Sequence, residues 1–169
     1  MSTTRTATHE LDIDADTYLH GVYLAEDFTR SLYLDGLSFE RYELLSLACT
    51  PEGGVERRLR ACPMSNAPAV VQKVIGSQEY DEVGSLGPGQ RTWRYRVLPR
   101  SLPDKLRIQG TQVVAPLGPG RCQVTFECTF EASIFAVGGV VERFMASQFE
   151  ENVARQLAFT RAWLQRRAP

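Results

Sequence analysis

One stretch of this 169-residue chain limits its possible folds more than any other. Cys122, Val124, Phe126, Cys128, Phe130, Ala132 and Ile134 share one parity, while Arg121, Gln123, Thr125, Glu127, Thr129, Glu131 and Ser133 share the other. A period of two is that of a β-strand with one buried face. Fourteen residues without an exception far exceed the usual strand of about five or six. At about 3.3 Å per residue the run extends roughly 46 Å, so a sheet that holds it in a domain of this size has to curve strongly. Past Gly138-Gly139 the period turns helical, with Val141, Phe144, Met145, Phe149, Val153, Leu157, Thr160 and Leu164 spaced mainly by threes and fours. About 29 residues at about 1.5 Å each make a helix of roughly 43 Å. Strand and helix match in length and each has one apolar face, so the helix is expected along the concave face of the sheet.

The rest of the chain reads as the remainder of that sheet. Residues 6–13 alternate as a strand. Asp14 or Asp16 can cap a helix carrying Tyr18, Leu19, Val22 and Tyr23, and a second short helix over 26–34 ends at Asp35-Gly36. Residues 39–49 and 55–62 read as a hairpin around Pro51-Glu52-Gly53-Gly54. An ambiguous segment, 70–75, precedes strands over 78–83 and 90–98 joined by a turn at 84–89. In the second of these, Trp93, Tyr95 and Val97 oppose Thr92, Arg94 and Arg96, one face aromatic and the other basic. A strand over 105–115 and a turn at 116–120 complete the pattern. The register stays open at 55–62 and 105–115. No internal repeat or second domain is visible, and residues 1–169 are expected to form one domain with frayed ends.

The composition, 43% apolar and 23% charged with a formal charge of −1, is that of a globular chain and gives no reason to expect a nucleic-acid partner. The N-terminal residues lack the apolar core of a secretory signal, and the apolar run 134–141 is too short to span a bilayer, so a cytoplasmic location is expected. Cys49, Cys62, Cys122 and Cys128 form no C-x-x-C pair and only His9 and His20 could assist them. No metal or cofactor is therefore expected, and all four thiols, lying within strands, should be buried and reduced. Nucleophile, phosphate-loop and dinucleotide-binding motifs are absent, and no catalytic residue is assigned.

The order strand, two short helices, six antiparallel strands and long C-terminal helix resembles the START-like (SRPBCC, helix-grip) superfamily, which includes the Bet v 1-type proteins. More locally, Thr125-Phe126-Glu127-Cys128-Thr129-Phe130, the segment Phe135 to Phe144, and Phe149-Glu150-Glu151-Asn152 are similar to the strand-to-helix junction of an uncharacterised bacterial START-like family. A more distant similarity is to lipid-transfer domains of the PRELI and VASt types. The resemblance implies an α+β helix-grip fold: a curved antiparallel sheet of about seven strands, with the long helix across its concave face. It also implies an apolar cavity between helix and sheet for a lipid or another hydrophobic small molecule.

The inward parities supply Trp93, Tyr95, Phe126, Phe130, Phe144, Met145 and Phe149 as lining for such a cavity, although an aromatic stripe of this spacing is in most proteins plain packing. His9 would face inward among Ala7, Leu11 and Ile13, as a core histidine or a cavity base. Whichever parity of 55–62 is inward carries an arginine. Arg57 is the candidate anchor for an anionic group, with a surface or rim ion pair as the simpler expectation. The superfamily usually gates its cavity near the segment 26–34, where Phe28, Leu32 and Tyr33 could also make transient contact with a membrane. Three functions follow: a non-enzymatic carrier or sensor of a hydrophobic ligand, a small polyketide cyclase or hydrolase of the same fold, and an interaction module with a filled core.

Overall fold

The alternating run forms strand β7 (Arg121–Ala132), with Cys122, Val124, Phe126, Cys128, Phe130 and Ala132 all buried. It is two residues shorter than the alternation: at Ser133 the chain turns away, although Ile134 still packs against an apolar cluster. The computed structural model describes residues 1–168. Its strands are β1 (Ser2–Leu11), β2 (Arg41–Cys49), β3 (Val55–Cys62), β4 (Tyr80–Leu86), β5 (Thr92–Pro99), β6 (Leu106–Gly118) and β7. They form one antiparallel sheet in the order β1-β7-β6-β5-β4-β3-β2.

Two short helices follow β1. In α1 (Ala15–Tyr18), which runs on as a π-turn over Leu19–Tyr23, the Asp14 carboxylate accepts from the backbone N–H groups of Asp16 and Thr17 and so caps the helix. The second, α2 (Glu26–Ser31), runs on through Leu32–Gly36. The ambiguous segment is a helix, α3 (Ala69–Ile75), that buries Val71 and Ile75. The chain ends in α4 (Gly138–Arg167).

Two turn assignments change, because β4 runs on to Leu86 and β6 to Gly118. Gly84 lies inside β4 rather than in a turn, paired with Tyr95 of β5, which pairs in turn with Gly110 of β6. A Cβ on Gly84 would sit 2.2 Å from the Trp93 ring, and one on Gly110 would sit 2.5 Å from the Tyr95 hydroxyl. The two glycines leave room for two large aromatics at a close approach, a use of glycine that at Gly84 a sequence pattern reads as a turn. β6 likewise runs through Pro116 and Leu117, because Pro116 sits near a register shift at the strand end, where a missing N–H is tolerated. In β2 a bulge between Leu44 and Ser46 breaks the expected alternation, and Cys49 is exposed, unlike the three buried cysteines.

α4 does not cover the sheet evenly. It packs on β1 and β7 and on the turn over 32–36, while α1 lies against β6 and β7. A small cluster of Cys128, Phe130 and Ala146 ties β7 to α4, and the rest of the core fills two zones. One is the α1–α2 end, around Tyr18, Leu19, Trp93, Val114 and Val124; the other joins α3 to the start of α4, around Val71, Ile75, Leu106 and Val141. Between them the middle strands face α4 across a gap.

Candidate functional site

That gap is a cavity of about 240 Å³, just below the roughly 300–1,000 Å³ usual for small-molecule pockets. Its walls are Tyr95 and Val97 of β5, Ile108 of β6, Phe126, Cys128 and Phe130 of β7, and Phe144, Met145 and Phe149 of α4. Phe130 and Phe149 meet edge to face at 5.9 Å between ring centres, a favourable aromatic geometry that ties helix to sheet. A second, wider depression of about 760 Å³ lies on the outer face of the sheet, where Arg94 and Arg96 stand beside Ser85 and Thr111.

The deep end of the cavity is polar. In β3 the odd positions face inward, which buries Arg57 at 4% exposure and corrects the expectation of a surface or rim location. Arg58 and Arg60 face outward and share Asp81 at 2.8 Å each. Arg57 is clamped between the rings of Trp93 and Tyr23, with its guanidinium carbon 4.9 and 5.1 Å from the ring centres, a cation–π arrangement strengthened by desolvation. It donates to Glu82 at 3.3 Å, the Tyr23 carbonyl at 3.3 Å, the Thr29 hydroxyl at 3.4 Å and the Tyr23 hydroxyl at 3.5 Å. Its Nε is buried without a partner. Tyr33 donates to the other oxygen of Glu82 at 3.2 Å. Burial pushes the Tyr23 hydroxyl up to about 12, and holds Tyr33, Tyr80 and Tyr95 well above the ordinary tyrosine value. Desolvation likewise raises the Cys128 thiol to about 12. All these groups are neutral near pH 7, so among the described residues Arg57 and Glu82 are the only ion-pair partners lining the cavity.

At the end of the molecule where α4 begins the lining is Pro63, Ile75, Ser77, Gln78, Pro99, Leu106 and Gln148, of which Ser77 is exposed, and we take this end as the mouth. Asn66 donates to Gln148 at 3.1 Å and so links the loop after β3 to α4. The three non-glycine residues with left-handed backbone among those described, Ser38, Leu102 and Ala136, stand one in each of three loops at this end. Such a conformation costs about 1–2 kcal/mol for a residue with a Cβ.

Of the residues singled out from the sequence, Tyr95, Phe126, Phe130, Phe144, Met145, Phe149, Arg57, Leu32 and Tyr33 line this one cavity. Trp93, His9 and Phe28 do not. Trp93 is wholly buried beyond the polar end, where its ring supports Arg57. His9 faces inward on β1 but sits beside Phe126, outside the lining. Phe28 packs under Phe159 and Trp163 of α4. Glu82, Tyr23, Thr29 and Gln112 were not singled out. Glu82 and Asp81 are adjacent acids of opposite parity, and only the register of β4 on β3 decides which one faces inward. Among the described residues no group of three or more His, Cys, Asp or Glu could hold a metal ion.

No curated protein matches the sequence. Among solved structures the chain is similar to the Zhui aromatase/cyclase of Streptomyces sp. R1128, with a TM-score of 0.72, 14% identity, and coverage of 99% of this chain and 96% of that one. It is also similar to norcoclaurine synthase from Thalictrum flavum, solved with dopamine and hydroxybenzaldehyde, with a TM-score of 0.68, 18% identity and coverage of 100% and 90%. A START superfamily protein from Mycobacterium smegmatis gives a TM-score of 0.59, 16% identity and coverage of 95% and 98%. These likenesses establish the START-like helix-grip fold. A family model described as a protein of unknown function (DUF2505) matches residues 6–164, and the chain therefore belongs to that family, on a START-like frame.

Proposed function

We propose that this protein binds a compact hydrophobic small molecule between α4 and the sheet and carries or senses it without catalysing a reaction. The observation that supports this most is the unfilled space itself: a cavity walled by aromatic and aliphatic side chains with all its charge gathered at one end. An interaction module with a filled core would not leave it. The volume suits a ring system or a single short chain rather than a two-chain lipid. The test is native mass spectrometry and solvent extraction of gently purified protein. A single co-purifying compound should appear, and should be lost in Cys128→Phe, whose ring would occupy the cavity. Repeated preparations and binding assays in which nothing binds would remove the reading.

Loading such a ligand brings the mouth to a hydrophobic source, and the reading includes transient contact with a lipid surface there. What supports this edge over the segment 26–34 is exposure. Phe135 is 98% and Met64 59% exposed beside the mouth, with Val70 of α3 also exposed, whereas Phe28, Leu32 and Tyr33 are buried. The only two lysines of the chain are Lys73 and Lys105; Lys73 lies between Val71 and Ile75, Lys105 precedes Leu106 and Arg143 follows Val141, and those four apolar residues pack in one cluster at this end. None of the three is in an ion pair among the described residues.

A cyclase-type enzyme is the second reading, and the observation favouring it is the ionisable pair Arg57–Glu82 inside the cavity. Against it, both carboxylate oxygens of Glu82 already accept hydrogen bonds, and the tyrosines around them hold their protons near pH 7.

A further inference from the structure

We infer that the cavity selects an uncharged ligand bearing a hydrogen-bond acceptor, such as a ketone or related carbonyl compound, and discriminates against a carboxylate of the same shape. The inference rests on the proposed binding function and deepens it. Three observations carry it.

The first is charge balance. A lone buried arginine invites an anion, but Arg57 already has Glu82 at 3.3 Å, and no other Asp, Glu, Lys or Arg side chain among the described residues lines the cavity. A carboxylate drawn in beside them would leave one negative charge uncompensated out of water, which is strongly unfavourable. A neutral oxygen adds none.

The second is unused donor capacity. The four hydrogen bonds of Arg57 measure 3.3–3.5 Å, against about 2.7–2.9 Å for well-made charge-assisted bonds. Arg58 and Arg60 reach 2.8 Å to Asp81 on the outer face of the same strand. Arg57 is thus loosely held, and its Nε has no partner at all. Buried donors are seldom left in that state.

The third is that the other unpartnered polar atom on the lining, Nε2 of Gln156, is also a donor. Both vacancies call for an acceptor. The Tyr23 hydroxyl, which accepts from Arg57, keeps its own proton to donate, while Glu82, whose two oxygens are engaged by Arg57 and Tyr33, is occupied.

The experiment compares three naphthalenes carrying an acetyl, an ethyl or a carboxylate group at the same position, titrated calorimetrically into the full-length protein near neutral pH. The acetyl compound is expected to bind roughly tenfold more tightly than either of the others. In Glu82→Gln, which removes the compensating charge, the preference should swing toward the carboxylate. In Arg57→Met the advantage of acetyl over ethyl should vanish. A carboxylate that binds the unaltered protein as well as the ketone, or a ketone no better than the ethyl compound, would overturn the inference while leaving the cavity reading intact. Failure of all three probes would remove both. Because the comparison on the unaltered protein decides the matter by itself, a variant that fails to fold does not shelter the claim.

Discussion

His9 projects from β1 beside Phe126, 6.4 Å between ring centres, and its Nε2 is buried with no hydrogen-bond partner. Burial first, and then the nearby Arg161, hold its pKa below the ordinary 6.5. The folded protein keeps this imidazole neutral at pH values where the unfolded chain has begun to protonate it. The unfolded state then binds more protons, so this contribution to stability is complete above about 6.5 and is lost as the pH falls through the folded value. The urea midpoint of the parent protein should therefore drop between about pH 7.5 and 5, and His9→Phe should flatten that drop. Equal losses in the two proteins would assign the acid sensitivity elsewhere. The same residue illustrates how a sequence reading can be right about a face and incomplete about a place. The parity of β1 turns His9 inward, but which part of the interior it reaches depends on where α4 crosses the sheet.

At the scale of elements, the middle of the sheet packs two glycines against two aromatics. Gly84 and Gly110 flank Tyr95 across three strands, and the rings of Trp93 and Tyr95 occupy the space their side chains would take. Gly84→Ala and Gly110→Ala should each lower the free energy of unfolding by about 1–3 kcal/mol, the usual effect of overpacking. Gly139→Ala should behave in the opposite way. Its Cβ would meet only the Arg143 side chain, at 3.6 Å, and replacing a helical glycine by alanine adds about 0.5–1 kcal/mol. Denaturant titration of the three variants checks both signs, and a Gly110→Ala protein as stable as its parent would mean that the close packing at Gly110 is not needed for stability. The alternation of β7 and the period of α4 were plain in the sequence because each face repeats many times. The segment around Gly84 was not, since a glycine at a close approach and a glycine in a turn look alike until the partner strand is in place.

For the whole molecule, the two ends have different characters. The end holding the β2–β3 and β4–β5 turns is closed by α1 and α2 over Tyr18, Leu19 and Trp93. The opposite end carries the mouth, the left-handed backbone at Ser38, Leu102 and Ala136, and the exposed Phe135 and Met64. Among the described residues no helix is long and apolar enough to cross a membrane, so any contact made by these helices is with a surface. Co-sedimentation should show the protein on vesicles containing phosphatidylglycerol and less of it on uncharged phosphatidylcholine, with binding that weakens as salt is added. Phe135→Ser should reduce the bound fraction roughly tenfold, the value of one large side chain leaving an apolar layer. Binding that is indifferent to Phe135 would move the docking edge away from the mouth.

The sequence by itself determined most of the elements and the faces of the longest two: a curved sheet with one long strand, a long helix to match it, and two short helices before the hairpin, but not the helix α3. Those follow from periods of 2 and 3.6 residues, which are local properties of the chain. Most of the cavity wall was legible for the same reason, because Tyr95, Phe126, Phe130, Phe144, Met145 and Phe149 each lie on an inward face. Only the tertiary structure decided that Arg57 is inside and paired with Glu82, and that Trp93 supports it rather than lining the cavity. Those facts depend on strand register and on where one helix rests on a bent sheet. Both are set by packing between residues far apart in the chain, and no local pattern records them.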